Sequence, residues 1–157
     1  MNSPQLYVVR LTGTQLKGES ICCTGEQLCE LLRQLKSWVN ECVWHLFDVK
    51  ANNSVESLVS GELQKQRLST ESLNELCSQV DQFLSGIFLA VPAKIDMPRL
   101  NPGLVTEDEP TVDLGDAILE IRAFDTSYFE LYTADDKLAE WLKNFYQAEI
   151  EYICPSP

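Results

Sequence analysis

The sequence is poor in positive charge and in histidine, and it has no long hydrophobic run. Its 157 residues contain 12 Lys and Arg against 24 Asp and Glu, and His45 is the one histidine, so the formal net charge is −12. No apolar stretch approaches the roughly 18 residues of a membrane span, and the N-terminal residues lack the pattern of a secretory signal. Negative charge disfavours binding to nucleic-acid phosphates and anionic lipids. We therefore expect a cytoplasmic protein with neither nucleic acid nor a membrane among its partners.

The motifs of common enzyme and metal-binding families are also missing. The chain has no Cys-x-x-Cys, no His-Glu-x-x-His, no Gly-rich phosphate loop and no Gly-x-Ser-x-Gly. We interpret the six cysteines as reduced thiols and His45, inside an apolar strand, as a buried, hydrogen-bonded core residue. We predict a protein that is not an enzyme, with no metal site and no cofactor. One enzymatic alternative stays open, in which Asp48 and Glu120 form the carboxylate pair of a small hydrolase.

The residues that are present predict one compact domain over residues 1–157. Hydrophobic residues make up 45% of the chain, and their spacing alternates between strand and helix patterns. The order of these patterns favours an α/β or α+β fold, with a mixed sheet of about five strands and three main helices packed on it. Right-handed crossovers would make the first three strands parallel. Strands are predicted at 6–11, 42–49, 87–91, 117–124 and 128–133, helices after Thr24, over about 70–84 and after Thr133, an irregular Pro-rich acidic loop at 92–116, and a tail at 147–157.

The pattern of residues 117–133 is specific enough to predict the register of a hairpin. Keeping Ile121 on the same face as Leu131 requires a three-residue turn at 125–127, because the side-chain period of a strand is two. That register places Arg122 opposite Glu130 on the other face, where opposite charges form a favourable cross-strand pair.

Negative charge is concentrated in the last third of the chain. Residues 1–105 hold 11 acidic and 9 basic side chains, a net of −2, whereas residues 106–157 hold 13 acidic and 3 basic side chains, a net of −10. Such concentration costs stability through self-repulsion, and solubility alone does not require it in one segment. A surface of this kind predicts a basic protein partner.

Two segments resemble parts of small bacterial immunity proteins. The first runs from Asp116 to Glu130 and continues into a terminal amphipathic helix, and the second is the strand Trp44–Val49 after a Leu-rich helix. These immunity proteins, from contact-dependent inhibition and other polymorphic toxin systems, are typically single-domain, cytosolic, often acidic and without enzymatic activity. The resemblance implies a non-catalytic protein that binds a cognate toxin domain, commonly a nuclease or another enzyme with a basic cleft, and blocks its active site or substrate path.

The charge pattern and the hairpin together predict a toxin-binding surface. Carboxylates would steer a basic cleft toward the protein, and rigid aromatic side chains would supply the desolvated contacts. Two alternatives stay open: a helix covers this face and the aromatic side chains belong to the core, or the protein is an acidic nucleic-acid mimic that inhibits a DNA-binding protein. The predicted binding residues are Glu107, Asp108, Glu109, Asp113, Asp116, Glu120, Asp125, Tyr128, Glu130 and Tyr132.

Overall fold

The computed structural model describes residues 5–17, 20–59, 67–100, 105–108 and 113–153. Their strands form one seven-stranded sheet, and every pair of neighbouring strands is antiparallel. In chain order the elements are β1 Leu6–Leu11, α1 Gly25–Gln34, α2 Lys36–Val39, β2 Cys42–Ala51, α3 Glu56–Val59, β3 Leu68–Ser69, α4 Thr70–Ser78, β4 Phe83–Pro92, β5 Leu119–Phe124, β6 Tyr128–Thr133, α5 Asp136–Tyr146 and β7 Ile150–Ile153. The order of strands across the sheet is β3-β2-β4-β5-β6-β1-β7.

The α+β class is therefore the one observed, and the expected parallel arrangement of the first three strands is wrong. Helix α4 ends at Ser78 rather than near residue 84, and Phe83 already belongs to β4. Strand β4 runs beside β2 in the antiparallel sense, with Cys42 opposite Pro92. The helix was predicted to be too long because Phe83 continues the apolar spacing of α4. In the structure its side chain is buried as part of strand β4.

Two strands beyond the expected five lie at the two edges of the sheet. Strand β3 is two residues long and pairs with β2, and β7 pairs with β1, with Tyr152 opposite Tyr7. Residues 150–153 are thus a strand and not part of a tail. Helix α5 also begins later than expected, because Asp135 accepts hydrogen bonds from the first-turn amides while Thr133 stays in β6.

The helices lie on one face of the sheet, which we call the helical face, and bury the main core there. Helix α1 has the expected capping box, in which Thr24 and Gln27 each accept a hydrogen bond from the other's backbone N–H. At Gly25 an added Cβ would lie 2.1 Å from the carbonyl oxygens of Cys77 and Val80, so only glycine allows the close approach of the end of α4 and the residues after it. The five described cysteines are free thiols, and the core is dominated by Leu28, Leu31, Leu32, Trp44, Phe83, Phe88 and Phe129.

The opposite face of the sheet, the second face, is covered in part by the long connection between β4 and β5. That connection contains no helix or strand in its described residues. It contributes Leu114 and Ala117 to a second apolar cluster that also contains Ile87, Leu89 and Val91. Among the described residues, every helix is too short or too polar to cross a lipid bilayer.

Candidate protein-binding site

The β5–β6 hairpin lies near the middle of the sheet and has the predicted register. Arg122 is opposite Glu130, Phe124 is opposite Tyr128, and residues 125–127 form the turn. The three-residue turn and the cross-strand position of Arg122 are therefore confirmed.

Part of the hairpin's second face is buried. The exposed fractions of Glu120, Arg122 and Tyr132 are 2%, 1% and 1%. The expectation that Glu120 and Tyr132 lie on an accessible surface is thus wrong, and the cover is an irregular segment rather than the helix considered as an alternative. Burial raises the pKa of Glu120, although the neighbouring Arg122 opposes this change.

Leu114 and Ala117 pack in the apolar cluster that contains Tyr132. The residues Val105–Asp108, which we call the cover segment, lie against Arg122. Arg122 holds it from below: its Nε donates to Glu120 Oε2 at 2.6 Å, while its Nη1 donates to the carbonyl oxygens of Thr106 and Asp108 at 3.0 and 2.6 Å. The buried guanidinium thereby has a carboxylate for its charge and two carbonyl acceptors for its Nη1 donors, and partners of this kind are what make a buried charge tolerable.

Asp48 provides a second attachment for the cover segment. Its Oδ2 accepts hydrogen bonds from both the backbone N–H and the hydroxyl of Thr106, each at 2.8 Å. The hydroxyl oxygen of Thr106 in turn accepts from the N–H of Gly86 at 3.0 Å. Asp48 has a positive φ of 53° at an irregularity in the β2–β4 pairing, and this departure from the regular strand accompanies the contact with Thr106.

The uncovered part of the hairpin presents aromatic rings beside charged groups. Glu130 accepts from the Tyr132 hydroxyl at 2.8 Å and from Arg10 Nη2 at 3.1 Å. The Arg10 guanidinium lies 4.1 Å from the centroid of the Tyr128 ring, and that ring packs against Phe124 with centroids 5.1 Å apart. Glu130 therefore orients Arg10, and Arg10 in turn restrains Tyr128.

Arg10 is the functional candidate that sequence reasoning missed. It lies on β1, between Val9 and Leu11, which are both buried on the helical face. The alternation of buried and exposed residues in β1 was enough to predict that Arg10 faces away from Val9 and Leu11. The sequence did not reveal the strand order, which makes β1 the neighbour of β6 and so brings Arg10 to the hairpin.

The other predicted residues are spread along the length of the hairpin. Asp113 forms an ion pair with Arg99, Nη1 to Oδ2, at 2.9 Å, and the half-buried Asp116 accepts a hydrogen bond from the backbone N–H of Arg99. These two acids lie near the start of β5, whereas Asp125 is exposed in the turn at the opposite end. Six strand residues separate them, a distance of about 20 Å. Glu109 lies outside the described residues.

The charged groups on this side of the sheet include paired and unpaired ones. Arg10, Lys50, Arg99 and Arg122 are each paired with a carboxylate, whereas Arg67 donates to the carbonyl oxygens of Ala93 and Ile95 and forms no ion pair among the described residues. Glu107, Asp108 and Asp125 are exposed and have no ion-pair partner among the described residues. The hairpin surface, which we define as Arg10, Phe124, Asp125, Tyr128 and Glu130 with Glu107 and Asp108 of the cover segment, therefore carries uncompensated negative charge beside aromatic rings.

The groups considered for catalysis are engaged elsewhere. The Asp48 carboxylate binds Thr106 and Lys50, and the Glu120 carboxylate binds Arg122. His45 is half-buried rather than buried, its pKa is lowered by burial, and its Nε2 has no hydrogen-bond partner in the described part of the chain, contrary to expectation.

Within the described ranges, no three His, Cys, Asp or Glu side chains are grouped closely enough to hold a metal ion. Comparisons with protein-family models, curated proteins and solved structures find no match to this chain. A functional assignment must therefore be argued from the chemistry of its own surface.

Proposed function

We propose that this chain is a non-catalytic, cytoplasmic immunity protein that binds a cognate bacterial toxin domain and neutralises it. The observation that carries the proposal is the hairpin surface, where Glu107, Asp108 and Asp125 have no ion-pair partner among the described residues, and where Phe124 and Tyr128 supply aromatic rings. The resemblance of residues 116–130 to immunity proteins supports the same conclusion.

Electrostatic steering is the first contribution of this surface. A toxin that acts on an anionic substrate carries a basic cleft, and unpaired carboxylates accelerate its approach, with association rates of up to about 10⁸–10⁹ M⁻¹s⁻¹ at low salt. The unpaired carboxylates described here are few and share the hairpin surface with the rings of Phe124 and Tyr128. This arrangement suits a protein cleft better than imitation of a phosphate track, which carries one charge per about 1.7 Å of duplex.

Affinity must come from side chains that become desolvated in the complex, and Tyr128 is the main candidate. It is half-buried, so part of its ring remains available to a partner. Arg10 above it and Phe124 beside it already restrict its motion. Less side-chain freedom is then lost on binding, which raises affinity for a given set of contacts. Tyr132, which is buried, is not part of the proposed contact surface.

Co-expression with the toxin domain encoded in the neighbouring gene tests the proposal. The protein should restore growth and form a stoichiometric complex, whereas Tyr128→Ala and the double charge reversal Glu107→Lys/Asp108→Lys should weaken the complex. A matched control is Glu75→Lys/Glu140→Lys, the same change of charge at exposed positions of α4 and α5. Failure of the unaltered protein to rescue growth would remove the proposal, and equal effects of both double variants would remove the hairpin surface from it.

A further inference from the structure

Two cysteines from different helices meet where α1 and α4 pack against each other. Gly25 of α1 lies against the carbonyl oxygen of Cys77, where an added Cβ would be only 2.1 Å away. One turn further along α1, the Cys29 thiol donates to the carbonyl oxygen of Asn74 at 3.3 Å, one turn before Cys77 in α4. The helices therefore run antiparallel at this point. Their contact brings the Cys29 and Cys77 side chains together, and these hydrogen-bond to each other.

The close packing of the two helices suits a covalent link between the sulfur atoms. Packed helix axes are usually about 8–10 Å apart, whereas Gly25, which has no side chain, lets α4 come nearer. A disulfide requires Cα atoms about 4.4–6.8 Å apart and side chains that point toward each other. The mutual hydrogen bond of Cys29 and Cys77 meets the second requirement, and the glycine favours the first.

The two thiols differ in their access to solvent. Cys77 is fully buried. Cys29 is half-buried and is one of the residues that line a groove of about 540 Å³ between α1, the end of α5 and the connection that precedes α1. A solute little larger than water can therefore reach Cys29 through the groove, whereas Cys77 is reached only by Cys29 itself.

Cys29 is also the more acidic of the two thiols. The hydrogen bond that Cys77 donates lowers the pKa of Cys29, against the opposing effect of burial. The positive charge of Arg33 acts in the same direction as the hydrogen bond, and the negative charge of Glu26 opposes it. The same hydrogen bond, together with burial, raises the pKa of Cys77. Because the thiolate is the form that reacts with peroxides, Cys29 should react first.

The other described cysteines lack this combination of an accessible thiol and a second thiol beside it. The sulfur atoms of Cys22 and Cys23 are 3.9 Å apart, but both residues are buried. Cys42 is half-buried, and no second thiol interacts with it in the described part of the chain. Among the described residues, the combination therefore occurs only at the contact between α1 and α4.

We propose that Cys29 and Cys77 form a redox site, in which a hydroperoxide such as hydrogen peroxide converts their two thiols reversibly into a disulfide. In the first step the Cys29 thiolate attacks one oxygen of the peroxide and the O–O bond breaks. The departing hydroxide takes up the proton that the thiol released, so water leaves and Cys29 becomes a sulfenic acid.

In the second step Cys77 closes the disulfide. Its sulfur loses a proton and attacks the sulfur of Cys29, the S–O bond breaks, and a second water molecule leaves. The two sulfur atoms together lose two electrons, which reduce one hydroperoxide. A dithiol such as dithiothreitol reverses the change by thiol–disulfide exchange.

The disulfide would tie α1 to α4 and restrict the unfolded chain, which stabilises the folded state under oxidising conditions. In a reducing compartment such bonds are usually transient and report redox conditions. Both cysteines lie on the helical face, whereas the hairpin surface lies on the second face of the sheet. The inference therefore goes beyond the proposed toxin binding and does not depend on it.

Treatment of the full chain with hydrogen peroxide, followed by thiol counting in denaturant and peptide mapping, tests the proposal. A few-fold molar excess should consume two of the six thiols and give a cross-linked pair of peptides that contain Cys29 and Cys77. Dithiothreitol should restore both thiols. The oxidised chain should have a Tm about 5–15 °C above that of the reduced chain.

Three variants assign the two steps. Cys77→Ala should stop the reaction after the first step, so that dimedone labels the sulfenic acid at Cys29. Cys29→Ala should slow the initial loss of thiols by about tenfold or more, because it removes the accessible thiolate. Cys42→Ala, at the other half-buried cysteine, is the matched control and should form the disulfide as the unaltered chain does.

Oxidation at Cys42 or Cys154 in place of the pair, or a disulfide between two chains, would overturn the proposal. Conversion of Cys29 to a sulfinic acid while Cys77 stays reduced would do the same, as would the absence of a cross-link at peroxide concentrations that oxidise free cysteine. Growth rescue by the unaltered chain is a separate measurement, so failure of the redox site and failure of toxin neutralisation are distinguishable.

Discussion

Arg122 lies directly opposite Glu130 in the β5–β6 hairpin, yet the two side chains bind different partners. Arg122 donates to Glu120 at 2.6 Å and stays beneath the cover segment, whereas Glu130 binds Arg10 at 3.1 Å in the uncovered part of the surface. Two ion pairs therefore lie side by side on the hairpin. The buried pair of Arg122 and Glu120 anchors the cover segment, and the partly exposed pair of Arg10 and Glu130 orients Tyr128.

The buried pair should be the most sensitive point of the fold. Arg122→Met leaves the Glu120 carboxylate buried without its cation, so the free energy of unfolding should fall by about 3–5 kcal/mol. Arg122→Met/Glu120→Met removes both charges and should recover part of that loss. Urea unfolding at neutral pH measures both variants. A change below about 1 kcal/mol in the single variant would mean that the ion pair is of little importance to stability.

The same single variant should also lose stability as the pH rises. Burial already raises the pKa of Glu120 above its ordinary value of 4.5, and removal of Arg122 takes away the group that opposes this shift. A carboxyl group with the higher pKa in the folded chain binds more protons when folded. The free energy of unfolding then falls as the pH increases from about 4.5 through the folded pKa. Urea unfolding at several pH values tests this, and a stability that increases over that interval would contradict it.

Thr106→Val should loosen the cover segment without changing the size of the side chain. The variant removes the hydroxyl that donates to Asp48 and accepts from Gly86 N–H. The Gly86 N–H then lacks an acceptor, whereas Asp48 keeps the Thr106 N–H and Lys50, and the expected loss is about 1–3 kcal/mol. Hydrogen exchange at the Gly86 amide should become faster. Thr14→Val, at an exposed threonine, is the control and should change neither quantity.

Removal of the hydroxyl from each of two buried tyrosines should change the stability of the protein in opposite directions. Tyr146→Phe removes a buried donor with no acceptor in the described chain and should stabilise the protein by about 1 kcal/mol. Tyr132→Phe removes the hydrogen bond to the Glu130 carboxylate and should destabilise it by about 1.5–3 kcal/mol. Thermal unfolding of the two variants gives the comparison, and destabilisation by Tyr146→Phe would show that its hydroxyl has a partner in solution.

Charge reversal at the hairpin surface should act on the rate of complex formation. Glu107→Lys/Asp108→Lys should slow association with the basic toxin by about tenfold or more at low salt and change the dissociation rate little. The difference should shrink as the ionic strength rises, because exposed charges are screened beyond about 8–10 Å at physiological salt. Stopped-flow kinetics at two salt concentrations measures this. An effect confined to dissociation would instead place these carboxylates in the desolvated centre of the interface.

Local patterns predicted the parts of this protein that depend on neighbouring residues. The capping box of Thr24 and Gln27 and the register of the β5–β6 hairpin are both as expected, because each is determined within a few residues of chain. The end of α4 was mispredicted for the same reason. Phe83 fits a helical apolar stripe locally, but its pairing with β2 decides its conformation.

The sequence by itself determined that the hairpin has two distinct faces and that negative charge accumulates in the last third of the chain. Only the tertiary structure decided that Glu120 and Tyr132 are buried while Tyr128 stays accessible and is held by Arg10. The physical reason is that alternation specifies which side chains share a face, whereas the cover on that face includes Thr106 and Asp108, which meet Arg122 only in the assembled sheet, where Asp48 also binds Thr106.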